Sequence, residues 1–348
     1  MMLASIFTKT TRDRWRGMVI AIVSLALLLF FAMLMYQNLD LSIYTGLPES
    51  IRAVMGVSAE ADVGSLGIGV LISSYGALAL AALALSMGAA SIAGEESKGT
   101  IGLLLGNPKS RTHVLVSKAA SMVLLIGLVV LGLWGAIYLV SAVLDVSITG
   151  MEVGALIFHL FLSTLFYGFL ALAIGAWTGK RALASGTAAG VMVLSLFAVG
   201  LLPLIKGWEN TAKAFPWYYF QGSDPLLNGI GWGHLGVLFG GIALFLAAAV
   251  IGVNRRDLWD RSVGVTLIDR LRSNPMTQKV IGRLAGSARV SRIWLKTFSE
   301  YQALLIITGY AMFLVMGIMM GPIYNFMPEI LMEYADRFPK AFLAAFGG

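Results

Sequence analysis

Gly94–Arg111 reads GEESKGTIGLLLGNPKSR. Two adjacent glutamates, two lysines, an arginine and a Gly-Asn-Pro turn crowd into this one stretch. The chain around it is 58% hydrophobic and only 12% charged. Long apolar runs flank the stretch on both sides, Leu66–Ala90 before it and Ala119–Val143 after it. A run of about 20 apolar residues is what a membrane-crossing helix requires. The stretch therefore reads as an organised polar connection between two spans.

The rest of the chain agrees with that reading. It has 348 residues, 40 glycines and no cysteine, and its mean hydropathy is +0.83. A soluble domain has no use for so much apolar surface, so composition points to an integral membrane protein. The lack of cysteine excludes disulfides, thiolate chemistry and Cys-based metal sites. The net charge of +7 is compatible with nucleic acid or with basic loops on one side of a membrane, and position decides between them.

Seven runs are long and apolar enough to span: Gly17–Tyr36, Leu66–Ala90, Ala119–Val143, Val153–Trp177, Leu183–Leu204, Trp232–Val253 and Ala303–Met320. None contains Asp, Glu, Lys or Arg. The first follows Lys9, Arg12, Arg14 and Arg16, as a signal peptide would, but it is too long for an h-region and no clean cleavage site follows, so it reads as a retained anchor. With the N-terminus inside, the inner segments hold those four cations, then Lys98, Lys109, Arg111 and Lys118, then Lys180 and Arg181. Ten more lie between Arg255 and Lys296, which makes 20 of the 25 lysines and arginines. That bias predicts an N-in multi-pass protein of the cell (inner or plasma) membrane. It removes nucleic acid as the explanation of the basic charge. Seven spans place the C-terminus outside.

The segments Gln37–Ser65 and Lys206–Gly231 fall outside and carry acids, aromatics and prolines. In the latter, AFPWYYFQGSDPL predicts a short re-entrant or interfacial element, because aromatics suit the headgroup zone and proline breaks a span. A weak internal repeat is also visible. Lys9-Thr10 matches Lys296-Thr297, each with an acid and a hydrophobic span following, and LPESIRAVMG (Leu47–Gly56) matches FPKAFLAAFG (Phe338–Gly347). The ordered series predicts a six-span module over residues 1–258, a basic linker over 259–300, and the start of a second copy over 301–348. The linker reads either as amphipathic segments on the membrane surface or as a solvated tether.

Within 94–118, Ile101, Leu103, Leu104 and Leu105 suit a short helix lying at the membrane surface, ended by Gly106-Asn107-Pro108. Ser110 or Thr112 can cap the next helix. The product is an elbow that offers carboxylates and a hydroxyl to whatever docks below it. The plainer reading is a loop whose Lys98, Lys109, Arg111 and Lys118 contact anionic lipid, but such a loop gains nothing from Glu95 and Glu96.

The same residues carry a family resemblance. An acidic pair, then Gly-Thr, a leucine cluster, Pro, Ser-Arg and a later Lys resemble the signature of type-2 ABC exporter permeases. Here these are Glu95, Glu96, Gly99, Thr100, Leu103, Leu104, Leu105, Pro108, Ser110, Arg111 and Lys118. Gly102 departs from the pattern, since many members carry an acid after Gly-Thr. PWYYFQGSDPLLNG, a glycine-rich span and NRRDL (Asn254–Leu258) resemble the end of such a module. One module followed by the start of another resembles the tandem-module antibiotic and multidrug exporter branch.

The resemblance implies an all-α permease whose segment 94–118 couples to a separate ABC ATPase. That partner would carry the ATP and Mg, leaving no cofactor or metal in this chain. It also implies a second permease half and outward movement of a hydrophobic or amphiphilic substrate. Glu95, Glu96, Gly99, Thr100, Leu103, Leu104, Pro108 and Arg111 are the coupling candidates. Consistently, the sequence contains no GxxxxGK[ST] phosphate loop.

Small residues pattern the spans. Ser73, Ala77, Ala81, Ala84, Gly88 and Ser91 form a stripe on the second, and Gly186–Gly190 and Gly236–Gly240 are GxxxG pairs. These are candidate helix-packing faces, either within the module or against a partner half. His159 is the one imidazole deep in a span, and a neutral histidine bonded to a neighbouring helix is the favoured reading over a proton relay. Met312, Met316, Met319 and Met320 read as lipid or helix contacts rather than a drug surface. Three other function classes stand beside this one. An ion-coupled transporter needs intramembrane charges that are missing. A lipid-modifying enzyme needs a catalytic cluster, and none is visible. A non-transporting signalling or resistance subunit remains the alternative.

Overall fold

The computed structural model describes residues 6–38, 41, 62–97, 99–102, 110–204 and 207–256, with 275, 278 and 309 as isolated positions. In chain order the helices are α1 (Ile6–Gln37), α2 (Val63–Ser91), α3 (Ala93–Ser97), α4 (Arg111–Val143) and α5 (Val153–Thr178). They continue with α6 (Arg181–Leu201), α7 (Tyr218–Gln221), α8 (Pro225–Asn228) and α9 (Trp232–Arg255). Six of them, α1, α2, α4, α5, α6 and α9, are long and apolar enough to cross a membrane. There is no strand among the described residues. The seventh apolar run, the basic linker and the second-copy residues Phe338–Gly347 lie outside the described residues.

Four of the six spanning helices begin earlier than their apolar runs, whereas α5 and α9 begin with them, at Val153 and Trp232. α1 includes Lys9–Arg16, and α4 starts at Arg111, well before Ala119. Hydropathy marks where side chains leave water, whereas a helix starts where its first amides are satisfied. For α4 that point is Ser110, whose Oγ accepts the His113 amide at 3.1 Å. Thr112, the other candidate cap, is used differently.

α5 is the axis of the bundle. Its most apolar window is 72% buried, against 22% for α1 and 28% for α9. α1 packs on α4, and α9, α6, α4 and α2 all pack on α5. The closest approach is between α2 and α5. A Cβ on Gly88 would collide with the Gly168 carbonyl, and one on Gly168 would lie 3.1 Å from the Ala84 Cβ. Ala77, Ala81 and Ala84 are buried on the same helix, so the stripe predicted on the second span lies within the module.

The two GxxxG pairs part company. Gly186 and Gly190 are buried on α6. Gly236 and Gly240 are exposed on α9, with nothing within 4 Å of a Cβ built on either. On that helix the tight glycines are Gly241, against Phe166, and Gly252, against Trp177.

The first part of α2 is a π-helix, Leu66–Gly76. Asp62 and Ser65 form a reciprocal capping box ahead of it. At its far end Ala77 donates to Ile72, a five-residue step. The segment predicted as re-entrant or interfacial is a 3₁₀ turn, Glu209–Ala214, followed by α7 and α8. It dips back into the bundle end. Trp217 and Phe220 are fully buried. The Trp217 amide donates to Ser195 Oγ at 2.8 Å, and Gln221 Nε2 donates to the Ser73 carbonyl at 3.0 Å. His159 Nε2 accepts the Gly231 amide at 3.1 Å, so that nitrogen is unprotonated and the ring serves the entry to α9.

Candidate functional site: the charged pole of the bundle

The alternation of the six spans brings the start of α1, the end of α2, α3, the starts of α4 and α6 and the end of α9 to one pole. Lys9, Arg12, Arg14, Arg16, Arg111, Lys118, Lys180, Arg181, Arg255 and Arg256 all belong to these helix ends. Lys213 is the one described lysine or arginine in the connections at the opposite pole.

α3 is a single turn closed by glycine. Gly99 has φ +71, its amide donates to the Glu96 carbonyl at 2.9 Å, and the Thr100 amide donates to the Glu95 carbonyl at 2.9 Å. This is the paired closure that glycine permits at a helix C-terminus, since a Cβ disfavours positive φ. The Gly-Thr of the sequence signature thus has a local conformational reason.

The two glutamates on that turn are bound inside the chain. Glu95 Oε1 lies 2.6 Å from Lys118 Nζ, and Thr100 Oγ1 donates to Glu95 Oε2. Lys118 is only 6% exposed and also donates to the Ser91 carbonyl at 2.7 Å. Glu96 Oε2 lies 2.6 Å from Arg256 Nη2, just past α9. Sequence reasoning expects both acids to face outward toward a docking partner. Instead they are held by cations of α4 and of the α9 end. A half-buried carboxylate is stabilised by a fixed cation at hydrogen-bond distance, and a buried lysine requires an acid.

Arg111, another coupling candidate, is also engaged. Its Nη1 donates to the Arg256 carbonyl at 2.7 Å and to the Val253 carbonyl at 3.3 Å. These are free carbonyls at the C-terminus of α9, where a cation is favoured. Asn254 Nδ2 donates to Thr112 Oγ1 at 2.9 Å. The end of α9 is therefore fastened to α3 by one ion pair and to the first turn of α4 by hydrogen bonds.

Gly179, between α5 and α6, fits beneath this fastening. Its φ is +66, and a Cβ there would collide with both Arg256 and Glu96. Asn254, Arg256 and Gly179 are absent from the sequence-based site. The signal for the first two is a polar Asn-Arg-Arg triplet at the end of an apolar span. Gly179, one of 40 glycines, carries no distinguishing signal. Leu103, Leu104, Leu105 and Pro108 lie outside the described residues. Ile101 is buried.

The arrangement is a braced elbow that ties three spans together at one end of an all-helical bundle. A family model described as ABC-2 family transporter protein matches residues 4–218. The chain belongs to that family, and is the permease component of an ABC-type transporter. No curated protein and no solved structure shows significant similarity to it.

Proposed function

We propose that this chain is the membrane half of an ATP-driven exporter and that its charged pole receives the stroke of a separate ATPase. Outward transport, a hydrophobic or amphiphilic substrate and a second permease half are parts of the same reading. Six spans over residues 6–256 support a complete six-span unit, with residues 259–300 as linker and 301–348 as the opening of a further copy.

The observation that carries the reading is the bracing of the elbow. α3 continues from α2, its glutamates hold α4 and α9, and Gly99 and Thr100 lock its turn. A push on α3 is thereby delivered to three spans at once. A lipid-contacting loop needs no such bracing. In this account Glu95, Glu96 and Arg111 stiffen the lever. The groups that touch the ATPase are the outward ones of the same segment, where Ser97 and Gly99 are exposed and Leu103, Leu104 and Pro108 follow in sequence. ATP and Mg belong to the ATPase, and no residue here is assigned to them.

The chain contains no cysteine, so a single introduced thiol reports one position. Ser97→Cys carrying a photoreactive crosslinker is expected to capture the co-expressed ATPase. Trp208→Cys, exposed at the opposite pole, is expected to capture none. Absence of an adduct at Ser97, or equal adducts at both positions, rejects the coupling assignment.

A further inference from the structure

The braced elbow leaves part of the charged pole open. A cavity of about 490 Å³ lies at the junction of α1, α2, α3, α4 and α6. Lys9, Asp13 and Arg14 reach it from α1 and Arg181 from α6, while the Glu95–Lys118 pair forms one wall. That pair is neutral overall, and Asp13 offsets one of the three remaining cations. Among the described lining residues two positive charges are left over.

Arg14 and Arg181 have no ion pair among the described residues, and both line the cavity. Arg14 is half-buried. Two guanidiniums gathered in a recess raise each other's energy, and an anion between them removes that cost. Guanidinium groups also match the geometry of phosphate oxygens. Arg111 and Lys118, lipid contacts in the plainer reading of the loop, are engaged inside the chain.

The level and the lining of the cavity fix the kind of anion. Arg14 stands just before the apolar part of α1, Lys118 just before that of α4, and Arg181 opens α6. Phospholipid phosphates lie at this depth. Met87 and Met122 supply an apolar floor. α1 and α6 flank α2 without packing substantially on each other. From Ala90 in the cavity wall, a stripe of small α2 residues runs deeper through the half-buried Ser86 to the exposed Ala82 and Ala79. A head placed between Arg14 and Arg181 has room for its chain there.

We propose that this cavity binds the phosphate head of an anionic amphiphile taken from the adjoining leaflet. Recognition rests on Arg14 and Arg181, with Lys9 at the rim. The proposal stands independently of the direction of transport and of ATPase coupling.

The test uses the full chain, purified in detergent and stripped of lipid, with three probes: dioleoylphosphatidylglycerol, dioleoylphosphatidylcholine and inorganic phosphate. Bound lipid is counted by native mass spectrometry. Phosphatidylglycerol is expected to bind about tenfold tighter than phosphatidylcholine, and Arg14→Gln with Arg181→Gln to abolish that preference, as the loss of charge-assisted bonds implies. Lys180→Gln, exposed and outside the cavity, is expected to bind like the parent. If the double variant does not fold, the exposed Arg181→Gln alone is expected to lower the preference about threefold. Equal binding of the two lipids overturns the proposal, as does an unchanged preference in a folded variant. Inorganic phosphate binding as tightly as phosphatidylglycerol makes it a soluble-anion site and overturns the amphiphile. Loss of ATPase association with lipid binding intact makes it a protein-docking site and overturns it as well.

Discussion

Lys118 shows how one residue can take its meaning from its surroundings. A cation near a membrane boundary ordinarily reaches for lipid phosphate, but this one is 6% exposed and lies 2.6 Å from Glu95. Removing one partner of a buried pair leaves an uncompensated charge, whereas replacing both with apolar groups is often neutral. Glu95→Ala is therefore expected to destabilise the protein by about 3 kcal/mol, seen as a lower melting temperature in detergent. Glu95→Leu with Lys118→Met is expected to recover most of that loss. An equal loss in the double variant removes the pairing argument. Gly179 is the other sensitive residue. Gly179→Ala forces a side chain against the Glu96–Arg256 pair and strains a left-handed backbone. It is expected to cost more than an alanine placed at Gly135, which has open space around it. Thermal melts of the two variants give the comparison.

At the scale of elements, the lesson is where periodicity and composition reach and where they stop. All six described spans are legible as apolar runs, because a bilayer rewards length and uniform greasiness over any particular residue. Their ends are less legible. α4 begins at a serine cap rather than where hydropathy rises, and capping side chains are common throughout any sequence. Ser110→Ala is expected to cost about 1 kcal/mol by removing the bond to the His113 amide. Faster hydrogen exchange confined to the first turn of α4 checks it. Small-residue stripes are legible as candidates but not as outcomes. Gly88 meets Gly168, while Gly236 and Gly240 meet nothing among the described residues, although the sequence spacing is the same for both kinds of face. Gly88→Ala is accordingly expected to wedge α2 from α5 at a cost of about 1–3 kcal/mol, and Gly236→Ala to leave the melting temperature unchanged. The π-helix of α2 has no sequence marker at all. The acidic pair stands out in the sequence, as does Lys118, but the pairing of Glu96 with Arg256 does not, since the two are 160 residues apart.

At the scale of the molecule, charge is sorted to one end. The described cations crowd the pole that bears α3, and the opposite pole is closed by Trp217, Phe220 and the hydrogen bond from Gln221 to α2. The positive-inside bias predicts that the crowded pole faces the cytoplasm. A membrane-impermeant maleimide applied to whole cells is expected to label Trp208→Cys and to leave Ser97→Cys unlabelled until the membrane is opened. The reverse pattern inverts the topology.

The fastening of the α9 end has a consequence for the order in which the molecule is made. Glu96 and Arg111 leave the ribosome long before Asn254 and Arg256. Synthesis at about 5–20 residues per second separates Glu96 from its partner by 160 residues, or roughly 8–32 seconds. During that interval the first spans are already in the bilayer with the elbow not yet fastened to α9. The α9 fastening is thus a late stitch: a nascent chain halted before Asn254 holds its elbow by the Glu95–Lys118 pair alone.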